Sequence, residues 1–156
     1  MAQKILIAID DSENALRAAA FVGQHFSKEN QITLLNITLD TAALCKMDSP
    51  ELIPLFKSQQ TSFCSLEDKK RELVQEAMRK AKESLLSAGF APENVTTKIE
   101  EKRHSVARDI LIEAEQGYDL IVIGRRGISG IKEFFMGSTS QKVLNGAKDI
   151  SVLIAN

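Results

Sequence analysis

Gly124, Gly127, Gly137 and Ser138 carry the clearest chemical signal in this chain. Two residues separate the first pair of glycines, and nine lie between Gly127 and Gly137. The segment follows an apolar run, Asp119-Leu-Ile-Val-Ile123, and leads into Ser138-Thr-Ser-Gln141 with Val143 and Leu144 beyond. A glycine loop between a strand and a helix N-terminus suits phosphate. Glycines let the backbone approach an anion, and the first helical turn offers unpaired N–H donors at the positive end of its dipole. Ser138 and Gln141 have capping-box spacing, which predicts a helix start pinned where the anion would sit. Arg125, Arg126 and Lys132 add cations nearby. A plainer alternative stays open: Gly124 ends a strand, Gly137 opens a helix, and Ser138, Thr139 and Ser140 are ordinary helix-start residues.

Asp10 is the second candidate. At the end of the first apolar run it can accept from a ribose hydroxyl, as acids do in other nucleotide folds. It can equally cap the helix expected from about Ser12. Other chemistry has little to build on. No GxxxxGK[ST] is present, no glycine follows the first strand, and no GxSxG elbow exists. His25 and His104 are far apart in sequence, and no nucleophile–base pair stands out. Cys45 and Cys64 form no CxxC and no metal-ligand spacing with either histidine. They are expected as reduced thiols of a cytosolic protein, bystanders rather than redox sensors.

The elements that must position these residues follow from hydrophobic periodicity. Ile5 to Ile9 is a continuous apolar run closed by acids, the pattern of a parallel strand buried on both faces. Ala15, Ala18, Ala19, Val22 and Phe26 recur at helical spacing. Ile32 to Ile37 reads as a second strand. Residues 40 to 65 are less regular, and a long connection holding a short helix is expected there. Leu66, Leu73, Val74, Ala77, Met78, Ala81 and Leu85 mark a long amphipathic helix, stopped by Gly89 with Pro92 beyond. Val95 to Glu100 alternates as a half-exposed strand. Ala107, Ile110, Leu111 and Ala114 mark a third helix, ended by Gly117. Leu120 to Ile123, Ser138 to Asn145 and Ile150 to Ala155 give a strand, a helix and a last strand. Such alternation predicts an α/β sandwich with a mainly parallel sheet. If strands one and four are neighbours, Asp10 and Gly124 face one crevice beyond the strand C-termini.

The totals exclude several classes. At 156 residues, one domain spanning 1–156 is expected. Twenty basic and twenty-one acidic residues leave a net charge of −1, with no electrostatic footprint for nucleic acid or an anionic membrane. One Tyr and no Trp argue against base-stacking platforms. No stretch is long and apolar enough to span a bilayer, and the opening run is too short for a signal-peptide core.

Taken together, these residues make the chain similar to a universal stress protein. The family's nucleotide-binding members carry Gly-x2-Gly-x9-Gly-(Ser/Thr), and Gly124, Gly127, Gly137 and Ser138 match at every position. Lys4-Ile-Leu-Ile-Ala-Ile-Asp10-Asp-Ser12 resembles the family's opening strand and turn. The segments 119–127 and 137–143 resemble its final third.

The resemblance implies a three-layer sandwich around a five-stranded parallel sheet of order 3-2-1-4-5, Rossmann-like, with ATP in the crevice between strands one and four. It places Ala8, Ile9 and Asp10 at the adenosine end and Ile37 against adenine through its backbone. Ile123, Gly124, Gly127, Gly137, Ser138, Thr139 and Ser140 would surround ribose and phosphates. It also implies a cytoplasmic homodimer formed through the last strand, Ile150 to Ala155. An edge strand this apolar would otherwise be an aggregation liability.

Asp11 departs from the pattern, standing where the family usually has glycine. A carboxylate there can weaken phosphate binding or help hold Mg2+. Ser151 replaces a frequent proline, and residues 40–65 match poorly. The expected function is therefore an ATP-binding stress or regulatory protein, without evident machinery for turnover. The alternatives are a slow Mg-dependent ATPase and a nucleotide-free interaction module.

Overall fold

Ile5, Leu6 and Ile7 have no solvent exposure at all, because the strand that carries them, β1 (Lys4–Ala8), lies at the centre of a five-stranded sheet. A computed structural model describes residues 1–10, 13–38, 45, 54–125 and 136–156. The other strands are β2 (Gln31–Thr38), β3 (Val95–Glu101), β4 (Leu120–Gly124) and β5 (Ser151–Ala155). The order is β3-β2-β1-β4-β5 and every pairing is parallel, as expected. β1 registers Leu6 against Ile121 and Ala8 against Ile123 on β4. The adjacency on which a shared crevice depends is thus present.

Helices cover both faces, as strands buried on two sides require. On one face lie α1 (Glu13–His25) and α2 (Pro54–Ser87). Ala18 and Val22 of α1 and Ala81 and Leu85 of α2 pack with Ile5, Ile7 and Leu34. On the other lie α3 (Val106–Ala114) and α4 (Ser138–Gly146). Their Ala107, Ile110 and Val143 pack with Leu6, Leu35 and Ile121. Gly89 and Gly117 follow α2 and α3 with φ of +106° and +86°, the left-handed stop that glycine permits.

Two expectations are corrected here. The first is that the connection over 40–65 would hold only a short helix. Instead α2 begins at Pro54 and runs 34 residues without a break. Its first part is rich in Ser, Thr and Gln and lacks the apolar stripe that marks an amphipathic helix, so periodicity announced it only from Leu66. Pro54 is tolerated because its missing N–H falls in the first turn.

The second correction concerns the thiols. Cys45 and Cys64 are joined as a disulfide, with Cα atoms 5.8 Å apart and a sequence separation of 19. They share no short motif, so only the fold could bring them together.

Among the described residues, no helix is long and apolar enough to cross a membrane.

Candidate functional site

The C-terminal ends of β1, β2, β3 and β4 open onto one cavity of about 650 Å³. β1 and the residues after it bring Ala8, Ile9 and Asp10; β2 brings Asn36, Ile37 and Thr38. Ile123 and Gly124 come from β4, and Gly137, Thr139 and Ser140 from the start of α4. Nine of the eleven residues singled out in the sequence therefore line a single space. Ser138 is exposed and does not line it, while Gly127, like Asp11, lies outside the described residues.

Hydrogen bonds explain why the strand ends hold their positions. The Ile9 N–H donates to the Leu35 carbonyl at 2.8 Å, extending the β1–β2 ladder one residue beyond the strand. Asn36 then donates its Nδ2 to the Ile9 carbonyl at 2.7 Å. The Asn36 side chain is buried, and its Oδ1 has no hydrogen-bond partner among the described residues. This asparagine fixes the backbone immediately before Asp10, so the carboxylate is presented from a held position. Nothing in the pattern of alternating residues distinguishes Asn36 from a solvated polar residue, and sequence reasoning passed over it.

The helix start differs from the expected capping box. Gly137 is the N-cap of α4, and no side chain caps it. The first backbone bond runs from the Gln141 N–H to the Gly137 carbonyl at 3.0 Å. Ser138 is the first helical residue, so its hydroxyl is displaced from the capping position that the Ser138–Gln141 spacing suggested. With glycine at the cap, no side-chain oxygen of the cap residue itself takes up the N–H donors of the first turn. Ser140 is almost wholly buried and donates its Oγ–H to the Gly124 carbonyl at 3.1 Å. It ties α4 to the end of β4 instead of presenting its hydroxyl freely to a ligand.

Gly124 has a packing reason to be glycine. A Cβ there would overlap the Asn14 carbonyl oxygen in the first turn of α1, a contact no side chain tolerates. The plainer reading of this glycine thus has a physical basis in the close packing of β4 on α1.

The remaining wall was not legible from sequence. Glu67, Lys70, Arg71, Val74 and Gln75 reach it from α2; Ile99, Glu101 and Lys102 reach it from β3 and its end. Among the described residues, the charges lining the cavity are balanced: Asp10, Glu67 and Glu101 against Lys70, Arg71 and Lys102. Among the described residues, no group of three or more His, Cys, Asp or Glu is arranged to hold a metal ion.

Beside the cavity, the turn from β3 to α3 is held by Asp109. It accepts from the Arg103 N–H at 2.7 Å, and from the His104 N–H and ring Nδ1 at 3.3 and 3.0 Å. Burial pushes its pKa up, but the Arg103 and His104 donors outweigh this and leave it below its ordinary value. His104, unremarkable in the sequence, is one arm of this clamp. Ser105 caps α3 by accepting from the Arg108 N–H at 3.1 Å.

The fold recurs in known proteins. A family model described as the universal stress protein family matches residues 1–155. Universal stress protein YxiE of Bacillus subtilis (strain 168) is 33% identical over 144 residues, which is 92% of each chain. Among solved structures, universal stress protein UspA from Lactobacillus plantarum superposes with a TM-score of 0.66 at 23% identity, covering 99% of this chain and 97% of that one. A universal stress protein solved in complex with cAMP superposes with a TM-score of 0.64 at 18% identity, covering 99% and 97%. On the extent of these matches, the chain belongs to the universal stress protein family.

Proposed function

We propose that this protein binds an adenine nucleotide, ATP in the first instance, in the cavity across the ends of β1 and β4. The observation that carries the reading is the uncapped α4 N-terminus facing the same space as Asp10. Donors for phosphate and an acceptor for ribose then stand on opposite sides of one crevice. Ile9, Ile37 and Ile123 supply apolar lining suited to a base. Gly127 belongs to the same glycine pattern and contributes backbone to the phosphates. The cAMP complex of a family member supports nucleotide binding within this fold.

The described lining offers groups to bind and orient a nucleotide, and no paired nucleophile and base to transform it. The reading is therefore a regulatory protein of one domain, working in the cytoplasm, in which the nucleotide acts as a ligand rather than a fuel. Mg2+ accompanies the phosphates. A homodimer forms through β5, where Val152, Leu153 and Ile154 remain half-buried on an open sheet edge.

A thermal-shift series with Mg-ATP, Mg-GTP and inorganic triphosphate tests the reading, on the native chain and on Gly127→Val. ATP should raise the melting temperature of the native chain and leave that of the folded variant unmoved. Equal shifts in both proteins would remove Gly127 from the site. No shift with any adenine nucleotide would end the proposal.

A further inference from the structure

The first half of α2 overhangs the core. None of the described side chains from 57 to 73 is buried, whereas Ala77, Met78, Ala81 and Leu85 further along are. Yet this half supplies Glu67, Lys70 and Arg71 to the cavity wall. A helical segment without core contacts has little to hold it in one place.

What holds it is visible in its exposure pattern. Between residues 57 and 74, the less exposed side chains are Gln60, Cys64, Glu67 and Val74. Their spacing puts them on one face, the face that continues to Met78 in the core. The disulfide from Cys45 lands on this face, one turn and about 4.5 Å of helix rise before Glu67. Cys45 itself lies seven residues beyond Thr38, which ends β2 and also lines the cavity. The bridge therefore fastens the overhanging half of α2 to chain leaving the cavity's own floor. Cys45 is exposed, so the bridge is open to attack.

We infer that the Cys45–Cys64 pair is a redox site that sets the ligand affinity of the cavity: oxidised, it clamps the α2 wall in place; reduced, it releases that wall. The reductant is a dithiol. Its thiolate attacks Cys45 Sγ, and Cys64 leaves as a thiolate that takes up a proton. The second thiol then attacks the mixed disulfide, freeing Cys45 and leaving the reductant as its own disulfide. Two electrons and two protons pass to the protein. In a reducing cytosol the pair is mostly open, and oxidation closes it. If release leaves the wall in its clamped arrangement about one time in ten, the apparent dissociation constant rises about tenfold.

The clamp stands on the geometry of α2; the choice of ATP as probe rests on the nucleotide reading above. The experiment separates the two. Hydrogen exchange of peptides within 57–73 and calorimetry with Mg-ATP are measured on the oxidised full chain, on the dithiothreitol-reduced chain, and on Cys64→Ser. Cys64 is outside the core, and circular dichroism confirms that the variant is folded. Reduction should speed exchange in 57–73 while leaving 77–87 protected, and should weaken ATP about tenfold. Cys64→Ser should match the reduced chain and ignore the reductant. Unchanged exchange in 57–73, or equal ATP affinity in both redox states, overturns the inference and leaves the nucleotide reading standing. ATP binding in neither state ends the nucleotide reading, and faster exchange confined to 57–73 then still supports the clamp.

Discussion

Ser140 donates its hydroxyl to the carbonyl of Gly124 across 3.1 Å, joining the first turn of α4 to the last residue of β4. The fifteen residues between them in sequence include Gly127 and Gly137. The bond fixes the first turn of α4 against the end of β4. Ser140→Ala should cost about 1 kcal/mol of stability. It should weaken Mg-ATP several-fold through misplacement of the α4 N-terminus. Urea unfolding and calorimetry check the two effects. Loss of stability with unchanged affinity would confine Ser140 to the fold.

Gly124 meets Asn14 too closely for any side chain. Gly124→Ala forces β4 and α1 apart and should destabilise the protein by about 1–3 kcal/mol. A denaturant titration checks this, and a loss below about 0.5 kcal/mol would show that the contact relaxes freely.

Asn36 donates its side-chain amide to the Ile9 carbonyl, at 2.7 Å and in the interior. Asn36→Asp replaces a donor with a carboxylate facing a carbonyl. The variant should lose about 2–4 kcal/mol near neutral pH and recover part of it in acid, as protonation restores a donor. Melting curves at several pH values would show the recovery; a flat profile would mean that the side chain has turned elsewhere.

Asp109 titrates below its ordinary value because donors from Arg103 and His104 outweigh its burial. A carboxylate lowered on folding stabilises above its unfolded pKa, and that contribution is lost as pH falls through the folded one. The native protein should therefore lose stability as the pH drops below about 4. Asp109→Asn should be less stable at pH 7 by about 1–3 kcal/mol and show a shallower acid limb. Parallel acid limbs in the two proteins would assign the acid sensitivity to other carboxylates.

Much of this was legible in the residues because the central strands are nearly pure in character. Ile5 to Ile9 and Leu120 to Ile123 are uninterrupted apolar runs, and such runs fit buried parallel strands. The order of the sheet came from resemblance, since periodicity fixes no adjacency. The part of α2 before Leu66 was hidden for a physical reason: none of its described side chains is buried, so it carries no amphipathic stripe. The Cys45–Cys64 bridge was hidden because tertiary contact, not spacing, brings the sulfurs together. Asn36 and Ser140 look like ordinary polar residues until their partners, Ile9 and Gly124, are located. Ser138 shows the opposite error. Its spacing to Gln141 suggested a cap, but Gly137 takes the capping position. Asp11 and Gly127 carry weight in the sequence and lie outside the described residues.

The most direct test of the central claim is a calorimetric titration of oxidised, nucleotide-stripped protein with Mg-ATP. The account predicts saturable binding near one nucleotide per chain. No binding heat, together with no thermal shift at saturating ATP, would contradict it.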